Sequence, residues 1–501
     1  MRSRGGDSTR EGQAVTARID TYVKAAAPVL AGVPGQPRTS RLPAAERARR
    51  DQLLQERLAC WTAIGEAGGI ASWVAQELRS KALSTEGLEP PTDRDKAQYK
   101  VKKKAEAEER RKLQRRAWEA YHATHISHLG TGIHWEDDPD VDRFDVEHRE
   151  ARARDNGLPE LKDPAALAQA MGLPIARLRW LAYHRETDTG SHYYTFTIPK
   201  RDGSPRTLCA PKRELKAAQR WMLRQVAERL PVHSAAHGFL ADRSIVTNAQ
   251  AHAGAEVLVK LDIKDFFPTV TWQRIKGLLR KGGLSEQVAT LLALLATEAP
   301  REVVQFRGKT LHVATGPRAL PQGAPTSPAL TNALCLRLDR RLSGLARTLG
   351  FTYTRYADDL AFSWRPAEAT GAVAAGSKLQ SGRAPVGALL RGVGQILPTE
   401  GFRLHPDKTR VLRRGDRQKL TGLIVNQAPA GSPAPAVRVS REVLRRLRAA
   451  IHNREKGRPS KPDETLQELS GLAAFVHMTD PVRGRALLDR IAALAARPPA
   501  G

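Results

Sequence analysis

The pattern of hydrophobic and polar positions changes near residue 164. Before it, the chain is polar and rich in Arg and Ala, and a charged run from Lys96 to Ala123 predicts one long helix. From Pro164 onward, apolar residues recur first at helical spacing and then in short β-rich runs. We therefore predict an accessory, mostly helical extension and linker over residues 1–155, followed by a folded α+β body.

Within the body, the spacing of apolar residues predicts the elements in chain order. A β-hairpin with a basic tip is predicted around Thr195 to Leu208, and a helix from Arg213 to Arg229. The run VLVKLDIKDFFPTV predicts an apolar strand interrupted by Asp262 and Asp265. The run FTYTRYADDLAFSW predicts two strands joined by a tight acidic turn. Beyond Pro435 the pattern is helical again.

The balance of charged residues indicates which class of partner the chain could bind. The 501 residues include 81 Lys and Arg against 53 Asp and Glu, a formal net charge of +28. Such an excess suits a polyanionic partner such as nucleic acid. A ribosomal protein, a membrane-surface protein or an Arg-rich genome would give a similar balance, so charge alone does not decide the function.

Cysteine usage and hydropathy indicate the compartment. The three cysteines, Cys60, Cys209 and Cys335, have neither zinc-ligand spacing nor a disulfide framework, as expected in a reducing cytoplasm. No run approaches the roughly 18 apolar residues of a membrane span, and no apolar segment follows the N-terminal Arg residues. We expect a soluble cytoplasmic protein without membrane contact.

Two segments of the extension are charged. In Lys100 to Arg116 a solvated helix face is the simpler interpretation, while the interleaved Tyr99, Trp118 and Tyr121 leave RNA contact open. The acidic, proline-interrupted stretch from Trp135 to Glu150 is interpreted as a linker, because its carboxylates lack a framework that would form a metal site.

Three acids are candidates for chemistry. Asp262 follows Val257, Leu258, Val259 and Leu261 in an apolar strand, where an uncompensated carboxylate is costly, and Asp358 and Asp359 are adjacent at a turn. If these strands are neighbours in one antiparallel sheet, the carboxylates converge and could hold two Mg²⁺ ions for nucleotidyl transfer. An Asp-Asp pair at a turn is common, so the pair alone leaves the chemistry open.

Four blocks in order resolve this ambiguity: LDIKDFF, LPQGAPTSP, YADDLAFS and GFRLHPDKT. Together they resemble reverse-transcriptase motifs over about Pro164 to Ala496. The bacterial retron group is the most similar, because Ala324 stands where intron enzymes usually have a second Gly and Asn248 to His252 reads Asn-Ala-x-x-His. Leu420-Thr421-Gly422 stands where retron enzymes carry Val-Thr-Gly, a conservative departure.

The resemblance implies a right-hand polymerase fold with an antiparallel-sheet palm and a helical thumb. The implied divisions are fingers at 156–255, a palm at 256–434 with a flexible insertion near 366–385, and a thumb at 435–501.

The resemblance also implies roles for individual residues. The implied metal ligands are Asp262, Asp358, Asp359 and the backbone carbonyl of Ile263; the nucleotide-binding residues are Lys200, Arg206, Phe267, Gln322, Gly323 and Lys408; and the structural or RNA-binding residues are Asn248, His252, Thr421 and Gly422.

Alternatives remain for several of these positions. Phe267 would lie beneath the nucleotide sugar and exclude a 2′-hydroxyl, or it would be a core aromatic of the palm, a role that suits Phe266 better. Lys200 and Arg206 would bind triphosphate, for which the Arg donor fork is apt, or would be solvated hairpin charges. Lys408 would lie near the primer end and the active site, or simply in an exposed loop.

A retron enzyme would copy a structured noncoding RNA encoded nearby, using dNTPs. Its first linkage would form on a guanosine 2′-hydroxyl and leave RNA-linked single-stranded DNA (msDNA). The RNA–DNA product and an effector protein would serve anti-phage defence. The basic thumb helices would bind RNA mainly through shape and phosphate. The alternatives are another prokaryotic reverse transcriptase (group II intron, diversity-generating or abortive-infection type) and an inactive RNA-binding scaffold, against which the three intact acids argue.

Overall fold

A computed structural model describes residues 44–88, 92, 94–133, 147–199, 203, 205–366, 383–426, 437–458 and 464–496. Lys200, most of the predicted linker between Trp135 and Glu150, and most of the predicted insertion near 366–385 lie outside the described residues.

The N-terminal extension folds as a bundle of three helices: α1 (Ala44–Glu66), α2 (Ile70–Ser80) and α3 (Lys96–Thr124). The predicted charged helix is confirmed as α3. Its Leu113, Ala117 and Ala120 recur at spacings of four and three, which places them on one buried face. This face closes a small core of its own, formed by Cys60, Ile64, Trp73, Val74, Leu78, Leu113, Ala117 and Ala120.

A linking set of elements follows the bundle. In chain order they are α4 (Arg149–Asp155), α5 (Pro164–Ala170), α6 (Ile175–Ala182), β1 (Thr187–Asp188), β2 (Tyr193–Pro199), β3 (Pro205–Pro211), α7 (Arg213–Gln225) and α8 (Ile245–Gln250). Strands β2 and β3 pair antiparallel, which confirms the predicted hairpin. Asp163 caps α5 through its side chain and Ser244 caps α8 in a capping box, so both helices begin where the sequence supplies an N-terminal acceptor.

A four-stranded antiparallel sheet forms the centre of the body, in the order β7-β8-β4-β9. Its strands are β4 (Val257–Asp262), β7 (Phe351–Tyr356), β8 (Asp359–Trp364) and β9 (Arg410–Arg413). The predicted antiparallel palm sheet is confirmed. One detail was wrong: β4 ends at Asp262, so this acid terminates the apolar strand rather than interrupting it, and Asp265 lies beyond it.

The segment between Trp272 and Ala314 shares the main apolar core with this sheet. It forms α9 (Trp272–Gly282), α10 (Glu286–Ala296), β5 (Arg301–Phe306) and β6 (Lys309–Ala314). Strand β6 pairs with both β5 and β1, while α10 contacts α5, α6 and α7. Every residue from Val288 to Ala296 is buried, as expected of a helix that is apolar on all sides. The boundary between fingers and palm at residue 255 stays a prediction.

Further helices back the palm and end the described chain. The palm carries α11 (Ser327–Leu334), α12 (Leu336–Thr348) and α13 (Val386–Thr399). A short hairpin then joins β10 (Lys419–Leu420) to β11 (Leu423–Ile424). The last helices are α14 (Arg441–Glu455), α15 (Leu466–His477) and α16 (Pro481–Ala495). The last three helices enclose a separate apolar core. Among the described residues, no helix combines the length and apolarity needed to cross a bilayer.

Candidate active site

The three predicted carboxylates meet at one end of the palm sheet. Asp262, the last residue of β4, is paired directly with Asp359, the first residue of β8. Asp358 lies in the two-residue turn between β7 and β8, and its carbonyl accepts a 3.0 Å hydrogen bond from the Ile263 N–H. Strand register therefore brings together acids that are almost 100 residues apart in sequence.

Burial and mutual repulsion determine the electrostatics of this site. The pKa of Asp358 is raised to about 6, chiefly by loss of solvation and then by the charges of Asp359 and Asp262. The pKa of Asp359 is also raised, again mainly by burial. Burial and like charge both disfavour the ionised carboxylates, and a bound cation would relieve both causes.

Lys408 supplies one positive charge to the site. Its Nζ lies 3.0 and 3.1 Å from the two carboxylate oxygens of Asp262. The short 3₁₀ helix Pro406–Lys408 delivers it, and that helix is anchored where the His405 N–H donates to the Asp262 carbonyl at 2.8 Å. The contact with Asp262 places Lys408 at the carboxylates, in agreement with its predicted position near the active site.

The donor set suits a hard divalent cation. A cleft of about 230 Å³ is lined by Lys260, Leu261, Asp262, Asp359, Lys408 and Arg410, so carboxylate oxygens face open space. Within the described ranges, no three His, Cys, Asp or Glu side chains are already grouped as a metal cluster. Asp262 is instead engaged by Lys408, and this contact would have to loosen for Asp262 to ligate a metal.

A completely buried ion pair supports the acidic turn from behind. Arg355 on β7 donates to Asp339 on α12, with Nη2 2.7 Å from Oδ2, and both side chains have no solvent exposure. The Arg355 Nη1 also donates to the Ala357 carbonyl at 3.2 Å and to Asn332 Oδ1 at 2.9 Å. Ala357 has a left-handed φ of 56°, so these contacts hold a strained residue immediately before Asp358.

Sequence reasoning missed this pair. The signal was present, because an Arg in the buried run FTYTRY needs a counter-charge, and LRLDRRL contains the only acid of its helix. The pairing itself spans 16 positions and depends on how α12 packs against β7.

The loop containing Gln322 and Gly323 docks onto the hairpin. The Cys209 N–H on β3 donates to the Gln322 carbonyl at 2.7 Å. Gly323 has φ +116°, and a Cβ there would lie 3.0 Å from the Cys209 carbonyl oxygen, so both backbone conformation and space require glycine. The same hairpin carries Arg206, which is exposed and lies opposite Ile198.

Phe266 and Phe267 have different environments. Phe266 is 4% exposed and belongs to the main core. Phe267 is half-buried and packs against the core from its edge, with its ring centroid 5.5 Å from that of Phe266. Phe267 therefore keeps one part of its surface accessible.

Asn248 and His252 lie inside the protein. His252 is fully buried, with Nδ1 2.7 Å from Ser363 Oγ and Nε2 2.7 Å from Thr354 Oγ1. Thr354 in turn donates to Asn248 Oδ1 at 2.6 Å. Burial lowers the pKa of His252 to about 3, so the ring is neutral. This network ties α8 to β7 and β8, which favours the structural alternative over direct RNA contact.

Thr421 and Gly422 form the tight turn of the β10–β11 hairpin. Both have positive φ, 45° and 94°, as a two-residue type I′ turn requires. The Thr421 hydroxyl donates to the Ile245 carbonyl at 3.3 Å, and a Cβ on Gly422 would lie 3.6 Å from the Phe475 ring. The turn thus connects α8 of the body with α15 of the C-terminal helices.

Comparison with known proteins identifies similar chains. A family model described as "Reverse transcriptase (RNA-dependent DNA polymerase)" matches residues 198–429, a segment that contains every candidate site residue. The retron Mx162 reverse transcriptase of Myxococcus xanthus is 58% identical over 96% of this chain and 98% of its own length. The retron Mx65 enzyme of the same organism is 43% identical, over 68% of this chain and 74% of its own. The retron Ec86 reverse transcriptase of Escherichia coli is 30% identical, over 68% and 92% respectively.

Proposed function

Since this chain belongs to the retron reverse transcriptases and is an RNA-directed DNA polymerase, we propose that it copies a structured RNA encoded nearby into single-stranded DNA that remains linked to the RNA. We assign the chemistry to Asp262, Asp358 and Asp359. The direct pairing of Asp262 with Asp359, with Asp358 in the adjoining turn, is the observation that carries this assignment.

In this proposal the three carboxylates hold two magnesium ions, with the Ile263 carbonyl as a further ligand. Ions held there would promote attack by the primer hydroxyl and neutralise the triphosphate oxygens during in-line displacement. The carboxylates need a counter-cation because burial and like charge disfavour their ionised forms. The Arg355–Asp339 pair keeps the turn that presents Asp358 in one conformation.

In this proposal Lys408 changes partner when substrate binds. Its ammonium satisfies Asp262 in the structure described, which limits repulsion among the acids. Its side chain is 54% exposed and can move to a neighbouring oxyanion. We place it near the primer end, where it would neutralise phosphate as the carboxylate binds metal.

The remaining residues position the nucleotide. Arg206 on the hairpin binds the triphosphate together with Lys200, which lies outside the described residues, and Gln322 and Gly323 line the approach to the nucleotide. Their loop is fixed to the hairpin strand by the Cys209–Gln322 hydrogen bond, so the two sets of contacts are mechanically coupled. Phe267 presents its accessible edge to the sugar C2′ position and disfavours ribonucleotides.

The partner assignments rest on the relatives and on charge. All three relatives described above are named as retron reverse transcriptases, and the net charge of +28 suits an RNA partner. We propose that synthesis begins on a guanosine 2′-hydroxyl, giving msDNA, and that the product acts with an effector protein in anti-phage defence. The three free cysteines agree with a cytoplasmic location.

The test is to express the chain together with its flanking DNA and to isolate small nucleic acids. We expect a species that is labelled as DNA, shortens after ribonuclease treatment and carries a 2′–5′ branch sensitive to debranching enzyme. The matched control is the same locus with Asp358→Asn and Asp359→Asn, which should produce none. An active polymerase that makes only unbranched DNA would contradict the retron product while leaving polymerase activity intact.

The defence role has a separate test. Cells carrying the intact locus should restrict phage plating, and cells carrying the double Asp variant should not. Equal plating on both would contradict the defence assignment without affecting the polymerase assignment.

A further inference from the structure

One exposed face of α3 carries a stripe of cations and rings. At 100° per residue, its members fall within an arc of about 60°, and they span about 33 Å of helix. The stripe consists of Lys100, Lys104, Arg111, Arg115, Trp118 and His122, all of them exposed. The opposite face, which contains Leu113, Ala117 and Ala120, is buried in the bundle core. The stripe is therefore available to a partner from outside the bundle.

The cations of the stripe are not matched by carboxylates. Each acidic side chain of α3 pairs with a cation outside the stripe: Glu106 with Arg110 at 2.6 Å, Glu108 with Lys112 at 3.0 Å, Glu109 with Lys81 at 2.6 Å and Glu119 with Arg57 at 3.1 Å. Within the described ranges, no carboxylate lies within 4 Å of the charged groups of Lys100, Lys104, Arg111 or Arg115. The stripe is thus a line of excess positive charge.

The end of the stripe is aromatic. Trp118 is 55% exposed, a large apolar area to leave in water, and its ring is stacked with that of His122 at 5.7 Å and 29°. Behind them Tyr121 lies edge-on to Trp118 and is stacked with His125, which limits rotation of the Trp118 ring. A supported flat ring next to a row of cations is the combination that binds single-stranded nucleic acid by base stacking and phosphate contact.

We propose that this stripe of α3 is a docking surface for single-stranded RNA, separate from the polymerase site. The cations would follow the phosphates and Trp118 would stack on a base. A lipid surface fits poorly, because membrane-bound helices present a broad apolar face and that of α3 is buried in the bundle. The proposal does not depend on the product proposed above, since the RNA bound here need not be a template.

The experiment measures binding of a fluorescein-labelled 20-nucleotide oligo(A) RNA to the full-length protein by anisotropy across a salt series. The stripe variant carries Arg111→Ala and Arg115→Ala. The matched control carries Lys103→Ala and Arg116→Ala, which removes the same charge from the same helix but off the stripe. Losing two single-strand phosphate contacts should reduce the slope of log K against log salt by about 1.4 in the stripe variant. The control should keep the parental slope.

A second pair of variants tests the ring. Trp118→Ala should weaken binding about 10-fold, and Trp118→Phe should retain most of the affinity, because the loss is of stacking. Both should melt at the parental temperature and extend oligo(dT) on poly(rA) at the parental rate. Equal effects in the stripe and control variants would overturn the proposal, since only bulk charge would then matter. Unchanged RNA binding in the stripe variant would also overturn it, because the stripe cations would then make no phosphate contacts.

Discussion

The N-terminal bundle and the palm differ in how far their ion pairs are exposed to solvent. In the bundle, ion pairs such as Arg57–Glu119 are about half exposed, at 44% and 51%. In the palm, Arg355 and Asp339 have no exposure at all and are joined to the turn of the acidic hairpin. Exposed pairs contribute at most about 1 kcal/mol, whereas breaking a buried pair costs several times as much. The comparison indicates that the buried pair of the palm fixes the geometry of the acidic turn, whereas the exposed pairs of the bundle add little to stability.

On the palm side of this comparison, the largest expected effect is that of the double substitution Asp358→Asn with Asp359→Asn. DNA synthesis should fall at least about 1,000-fold, because several kcal/mol of transition-state stabilisation depend on these carboxylates. Folding should not suffer. Both folded-state pKa values are raised, so the charged forms oppose folding at neutral pH and neutral amides relieve that cost.

Primer extension and thermal melting measure the two effects, and RNA binding should be largely retained because phosphate contacts elsewhere supply it. Residual synthesis near the parental rate would remove the metal-ligand assignment from this turn.

The buried pair itself can be tested against its exposed counterpart. Arg355→Met should lower the free energy of unfolding by about 3–5 kcal/mol, because it leaves Asp339 buried without a partner. Arg57→Met in the bundle should cost no more than about 1 kcal/mol. Urea unfolding measures both.

A double-mutant cycle sharpens this prediction. If the cost is that of an orphaned charge, adding Asp339→Leu to Arg355→Met should restore part of the stability. Similar losses for Arg355→Met and Arg57→Met would break the contrast between the two regions.

Phe267 lies at the border between core and site. If its accessible edge excludes the 2′-hydroxyl, Phe267→Ala should relax discrimination between dNTPs and rNTPs by roughly 10- to 100-fold in kcat/KM ratio. The control is Phe266→Ala, which should cost about 3–5 kcal/mol of stability without changing the ratio. A stability loss with an unchanged ratio in Phe267→Ala would return this ring to the palm core.

The smallest expected effect comes from His252. Its folded pKa of about 3 lies below the ordinary value, so between pH 6.5 and 3 the unfolded chain binds the extra proton. Stability from this group is therefore fully present above pH 6.5 and is lost as pH falls, by about 1.4 kcal/mol per unit. Urea unfolding at pH 7 and pH 5.5 should show a smaller drop for His252→Gln than for the parent. Equal drops in stability for the parent and His252→Gln would mean that the pKa of His252 is not lowered in the folded state.

Local patterns were sufficient for much of this protein. The hairpin from Tyr193 to Pro211, the long helix α3 and the acidic turn each follow from the spacing of apolar residues within one segment. The three catalytic candidates were also visible in the sequence, because an acid next to an apolar strand is costly and therefore conspicuous.

Other features depend on where separate segments meet. Pairing of Asp262 with Asp359 requires the register of β4 and β8, and the contact of Lys408 with Asp262 joins residues 146 positions apart. The Arg355–Asp339 pair and the docking of Gly323 against Cys209 likewise require helices and strands to be packed. Local sequence determines which elements form, because backbone propensity and periodicity act over a few residues. Tertiary structure alone decides which polar groups become partners, because that choice depends on register and burial across the whole core.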